Sequence, residues 1–220
     1  ETDLKLYTNI GFTYRIPTYT DLYYTSPTTL GNENLKLEKA LTKEIGLKYL
    51  KDDFNFNFSL YQRDASDIID YVRNNESDPW QANNIREINT NGFELNMGYK
   101  FYLGSFRMQT INIGYSNIDD ELLETDFAFS RYALNTLKNQ ITGTYTFEIN
   151  EKIYSTIAYK NAERSNEEKY TVIDFKSSYK LDKFTLSVIL KNILDTEYSE
   201  TNLVPMPGFN SLVQINYSIN

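Results

Sequence analysis

Apolar and polar residues alternate with a period of two along most of this chain. Phe54, Phe56, Phe58 and Leu60 are separated by Asn55, Asn57 and Ser59, so an extended segment there has one apolar and one polar face. The same alternation runs through Phe93 to Phe101, through Phe184 to Val188 and through Val213 to Ile219, while helical spacing is scarce. The pattern predicts about ten strands of roughly 9 to 13 residues, the length a tilted strand needs to cross a bilayer. They fall at residues 4–15, 41–50, 54–64, 87–101, 106–117, 136–149, 152–161, 170–181, 184–191 and 211–220.

The connections alternate in length. Tight turns stand at Lys51-Asp52-Asp53, Tyr102-Leu103-Gly104-Ser105, Asn150-Glu151 and Asp182-Lys183, with longer links at 16–40, 65–86, 118–135, 162–169 and 192–210. Short turns on one side and long loops on the other are the geometry of an antiparallel transmembrane β-barrel. A soluble β-sandwich or propeller also shows antiparallel strands with regular turns. Its strands are typically about 5 to 6 residues, and the alternation of connection lengths argues against it.

Composition changes the picture mainly by exclusion. Acids exceed bases (30 to 22, net charge −8), so no phosphate-tracking surface and no nucleic-acid partner is expected. There is no histidine and no cysteine, which removes histidine-based catalysis, the usual zinc sites and any disulfide. No enzyme activity, metal site or cofactor is expected. The 19 tyrosines suit a barrel, because amphipathic rings collect at membrane interfaces. No apolar run approaches a transmembrane helix, but barrel strands hide lipid-facing residues at every second position and read as polar on average. No signal peptide is visible at Glu1, where an alternating segment begins directly, so the N-terminus reads as a cut inside a longer polypeptide.

Several ordered segments resemble TonB-dependent outer-membrane receptors. They are Gly11-Phe12-Thr13-Tyr14-Arg15-Ile16-Pro17 with Asp21-Leu22-Tyr23, then Gly31-Asn32-Glu33-Asn34-Leu35-Lys36-Leu37-Glu38 leading to Glu44-Ile45-Gly46. Tyr61-Gln62-Arg63-Asp64, Asp67-Ile68-Ile69-Asp70-Tyr71 and Asn91-Gly92-Phe93-Glu94 follow, and Lys191-Asn192-Ile193-Leu194-Asp195, Tyr198 and Pro207-Gly208 close the series. Within that family the resemblance is nearest to the cobalamin-importing members. It implies that residues 1–220 are the C-terminal part of a 22-stranded barrel in the outer membrane of a Gram-negative bacterium, with the plug domain, the energy-coupling box and the first strands absent. It also implies TonB as a partner through that absent region, outer-membrane lipid around the barrel, and a small-molecule nutrient as ligand. One departure is the chain's end, where Ile219 and Asn220 replace the family's terminal aromatic residue.

The motifs also have plain physical roles. Pro17 ends a strand, Gly92 and Gly208 relieve the backbone near strand starts, and Asn192 and Asp195 form a bend. In the receptor reading, Tyr19, Tyr23, Tyr24, Tyr71 and Trp80 offer aromatic contact area for a large ligand. Lys5, Glu44, Lys48, Arg63, Glu94, Lys100, Asp174 and Lys176 fall on polar faces and are expected to look into the lumen or onto a plug. Alternative ligands are ferric siderophores, and a passive porin or structural barrel is the competing function. Asp119, Asp120, Glu121, Glu124 and Asp126 lack the spacing and glycine of a calcium loop and read as a solvated acidic loop.

Overall fold

In a computed structural model of the chain, residues 2–104, 107–122, 127–131, 136–165, 168–201 and 204–219 are described. The first half contains β1 (Thr2–Arg15), α1 (Tyr19–Tyr23), β2 (Thr25–Ser26), β3 (Thr29–Leu30), β4 (Glu38–Lys51), β5 (Phe54–Arg73), β6 (Trp80–Leu103) and β7 (Arg107–Leu122). The second contains β8 (Phe129–Ser130), β9 (Leu137–Asn150), β10 (Ile153–Arg164), β11 (Lys169–Leu181), β12 (Phe184–Lys191), β13 (Ser199–Thr201), β14 (Val204–Pro205) and β15 (Asn210–Tyr217). The long strands form one antiparallel meander in the order β1-β4-β5-β6-β7-β9-β10-β11-β12-β15. All ten expected strands are present, and among the described residues no ladder joins β1 to β15, so the sheet is open.

The register carries the alternation from strand to strand. Leu6 faces Leu47, Leu47 faces Phe58 and Phe58 faces Leu95. Met97 then faces Ile113, Phe175 faces Leu190, and Leu186 faces Ile215. One face of the whole sheet is thus apolar and well exposed, and the other collects the polar partners. The tight turns follow their sequence signals, with Asp52, Asp182 and Gly104 at positive φ. Gly92 and Gly208 are not at positive φ. What they need is space, because a Cβ on Gly92 would meet the Tyr61 ring at 2.4 Å and the Asn117 carbonyl at 2.8 Å, and one on Gly208 would meet Asp195 Oδ1 at 2.6 Å.

The main difference from the expected elements lies between residues 65 and 86. In place of a loop, β5 and β6 continue as a hairpin far beyond the β4 and β7 pairings. Two distant segments complete it. β3, from the connection between β1 and β4, pairs with the β7 side of β6 at Trp80 and Gln81. β8, from the connection between β7 and β9, pairs with the β4 side of β5 at Val72 and Arg73. The two connections therefore cross, each gripping the edge farther from its own origin. Ala65, Ile69, Val72, Ala82, Ile85 and Ile88 are buried along the hairpin, on both of its faces. The acidic run is also displaced: Asp119, Asp120 and Glu121 belong to β7, with Asp120 accepting a bond from the Thr90 hydroxyl, while Glu124 and Asp126 lie outside the described residues.

Candidate functional site

The extension of β5 and β6 positions the aromatic candidates. Thr18 caps α1 reciprocally: its hydroxyl accepts from Asp21 N–H at 3.2 Å, and its own N–H donates to Asp21 Oδ2 at 2.9 Å. Asp21 also receives the Tyr71 hydroxyl at 3.2 Å and Arg15 Nη1 at 3.4 Å. Arg15 reaches Glu38 Oε1 at 2.7 Å, and the same oxygen accepts the Ile69 N–H at 2.7 Å. Burial works to raise the Asp21 pKa, but the Thr18, Tyr71 and Arg15 contacts outweigh it and hold the carboxyl below its usual range. These polar side chains tie β1, α1, β4 and β5 together in one clasp.

A second clasp holds the return of the same connection. Asn84 Oδ1 accepts the Lys36 N–H at 2.8 Å, and its Nδ2 donates to the Asp67 carbonyl at 2.6 Å. Gly31 closes against the end of α1, its N–H donating to the Tyr24 carbonyl at 2.6 Å. A Cβ at Gly31 would stand 2.8 to 2.9 Å from the Leu22 and Tyr23 backbone, so only glycine fits. With α1 held by its Asp21 side, Tyr19 and Tyr23 are left outward, 79% and 50% exposed, with ring centroids 5.1 Å apart. Tyr24 is equally open at 50%.

Tyr71 and Trp80 are placed differently. The Arg73 guanidinium stands 4.3 Å from the Trp80 ring and 5.6 Å from Phe129, and that of Arg131 stands 5.0 Å from Trp80 and 5.4 Å from Tyr71. Each such cation–ring contact contributes about 0.5 to 2 kcal/mol, depending on desolvation. Ser130 Oγ donates to Asp70, and Arg131 N–H to the Tyr71 carbonyl at 3.0 Å. The structure thus brings Tyr71 and Trp80 into the joint between the crossing connections and leaves Tyr19, Tyr23 and Tyr24 on the surface. The sequence reading did not single out Asp21, Asp70, Arg73 or Arg131 as site residues. Only Asp21 had a readable signal, the Thr-x-x-Asp spacing of a reciprocal cap. Arg131 meets Tyr71 only through tertiary pairing.

The register puts Lys5, Glu44, Lys48, Arg63, Glu94, Lys100, Asp174 and Lys176 all on the polar face. They are spread along it without converging. Lys5 lies opposite Lys48, an unfavourable juxtaposition relieved by an Asp3–Lys5 ion pair at 2.8 Å and by Lys48 standing 5.2 Å from the Tyr7 ring. The Tyr7 hydroxyl donates to Glu44 at 2.9 Å. Asp174 accepts the Asn192 N–H at 2.8 Å and so anchors the loop after β12. Among the described residues, no three acidic side chains converge as a metal site.

Comparison with known proteins places this arrangement. The family described as TonB dependent receptor-like, beta-barrel matches residues 2–193. The vitamin B12 transporter BtuB of Vibrio vulnificus is 23% identical over 194 residues, covering 86% of this chain and 30% of that protein. Its counterpart from Photobacterium profundum is 24% identical over 204 residues, covering 89% and 32%. The chain therefore spans about a third of the length of these relatives. Among solved structures, the copper transporter OprC superposes with a TM-score of 0.76 at 18% identity, covering 98% of this chain and 37% of that one. The siderophore receptor PirA from Pseudomonas aeruginosa superposes at 0.67 and 17% identity, covering 99% and 37%. At these identities the superpositions speak for the fold alone.

Proposed function

The chain belongs to the TonB-dependent receptor-like β-barrel family of Gram-negative outer-membrane proteins, and from that premise we propose that it is the C-terminal barrel portion of an active-transport receptor. In this reading the apolar face meets outer-membrane lipid, and the polar face, with the eight charged residues above, lines the lumen or contacts a plug. Coupling to TonB and the plug itself belong to the part of the relatives' length that this chain does not span.

The observation that carries the reading is the built extracellular platform. Two connections cross on one hairpin, the first locked to it by the Asp21 and Asn84 clasps and the second by β8 with the Ser130 and Arg131 contacts, and the result presents Tyr19, Tyr23 and Tyr24 to solvent. A rigid surface with exposed tyrosine rings suits capture of a large, partly apolar solute. Tyr71 and Trp80 serve by positioning that surface. Cobalamin is the favoured ligand, supported by the two relatives named as vitamin B12 transporters. A ferric siderophore is the second candidate, in keeping with the exposed aromatic surface and the name of one superposed structure.

The test is equilibrium binding of cobalamin and of a siderophore panel to the complete receptor, with a variant carrying Tyr19→Ala, Tyr23→Ala and Tyr24→Ala beside it. Cobalamin binding that weakens at least tenfold in the triple variant supports the reading. Tight siderophore binding with none for cobalamin overturns the ligand, and unchanged affinity in the triple variant removes these tyrosines from the site.

A further inference from the structure

The connection between β12 and β15 does not stand clear of the sheet. It folds back over β10 and β11 on the polar face. Its base is held by Asn192, at φ 49°, whose Nδ2 donates to the Thr196 and Pro207 carbonyls at 2.9 and 3.2 Å and whose Oδ1 accepts the Thr196 N–H at 3.0 Å. From there Thr196 Oγ1 donates to the Thr171 carbonyl at 2.7 Å, and the Tyr198 ring stacks on Tyr170 with centroids 4.6 Å apart. Two residues on, the Glu200 carboxylate pairs with Lys160, and the Glu200 carbonyl accepts from Arg164 Nη1 at 2.9 Å. Beneath it Ala162, Tyr170 and Val172, all on the polar face by register, are buried.

Lys160 and Arg164 lie four residues apart on one strand, hence on one face, at the loop end of β10. Both reach the same residue of the overlying loop, one through its carboxylate and one through its carbonyl. Lys160 also stands 5.6 Å from the Tyr170 ring, which adds to the fixed surroundings of the ammonium. The polar-face carboxylate of Asp174 accepts the Asn192 N–H, so it is engaged at the base of the same loop. An arginine fork beside a lysine is the usual recognition chemistry for carboxylate or phosphate oxygens.

We propose that Lys160 and Arg164 form an anion-binding site at the loop end of the polar face, and that Glu200 fills it as a built-in competitor until the phosphate or carboxylate group of an incoming solute displaces it. Release of Glu200 leaves the loop tied by Tyr198 and Thr196, so the same exchange loosens the cover over the polar face. The inference rests on the reading of that face as the import lumen, but its test needs no nutrient.

Residues 1–220 contain no cysteine, so spin labels at Ser199→Cys and Thr144→Cys, placed in the complete receptor with any cysteine outside these residues replaced by serine, report the separation of loop and sheet. With Glu200 present, one short distance is expected. Glu200→Gln, which keeps the side chain's size, should shift the distribution to longer, broader distances, and inorganic phosphate should do the same to the unmodified pair more strongly than chloride at equal ionic strength. Calorimetry should show phosphate binding on the order of tenfold tighter in Glu200→Gln, since an internal competitor lowers apparent affinity by the fraction it occupies. Adding Lys160→Gln should abolish that gain. An unchanged label distance in Glu200→Gln, an equal response to chloride, or no gain in phosphate affinity would each overturn the proposal. Failure of cobalamin to bind would leave these results untouched, so the two readings fall separately.

Discussion

Leu186 stands on the apolar face of β12, 45% exposed, opposite Tyr179 and Ile215. In a barrel that face meets hydrocarbon, so Leu186→Arg is expected to cost roughly 2 to 4 kcal/mol in bilayer refolding. A polar-face control has to be chosen with care. Ser187 looks suitable by alternation alone, yet it is fully buried and its hydroxyl lies 2.8 Å from that of Ser178, so arginine there would fail by crowding. Asn216, exposed on the polar face of β15, is the proper control, and Asn216→Arg should cost much less. Equal costs for Leu186→Arg and Asn216→Arg would refute the assignment of faces. Gly31 gives a second residue-scale expectation. Its substitution by alanine forces apart backbone atoms 2.8 to 2.9 Å from the new Cβ, at a cost of about 1 to 3 kcal/mol. The change should show as faster proteolysis of the connection between β1 and β4, with the strands still protected.

At the scale of elements, the hairpin extension is the feature that organises the loops, and its clasps are polar. Asp21 is held below its ordinary pKa of about 3.9 because the Thr18, Tyr71 and Arg15 contacts outweigh its burial. A carboxyl whose folded pKa is depressed stabilises the folded form above its unfolded pKa, and that contribution is lost as pH falls through the depressed value. Hydrogen exchange of the amides of Leu22 and Tyr24, which bond into α1, should therefore stay slow from neutral pH to about pH 5 and accelerate below roughly pH 4. Rates are compared after correction for intrinsic exchange. In Asp21→Asn the protection should be weaker at neutral pH and nearly independent of pH. A variant that keeps the wild-type pH profile would show that Asp21 does not hold the helix.

For the whole molecule, the open sheet is decisive. β1 and β15 end the strand order, and backbone groups left unpaired in lipid cost several kcal/mol each. Residues 1–220 alone are thus expected not to fold stably in vesicles, whereas the complete receptor should give a compact, protease-resistant barrel. A folded, resistant monomer of 1–220, with β1 amides protected from exchange, would mean that the sheet closes on itself.

Strand identity, face and order were determined by the sequence itself. Alternation with period two sorts side chains to opposite faces whatever the surroundings, and short turns with Asp or Gly at positive φ force neighbours in sequence to pair. That is why Phe54 to Leu60, Phe184 to Val188 and the turns at Asp52 and Asp182 read correctly. The extension of β5 and β6 to Arg73 and Trp80 could not be read in this way. Asp67, Asp70 and Arg73 break the local pattern, and the strand persists there by pairing with β6, with β3 and β8 arriving from connections far away in the sequence to complete the edges of its tip. The candidate site divides along the same line. The candidate aromatics were visible as residue types, but that Tyr19, Tyr23 and Tyr24 stay exposed while Trp80 is held by Arg73 and Arg131 and Tyr71 by Arg131 and Asp21 was decided by long-range pairing, whose geometry no local stretch of chain encodes.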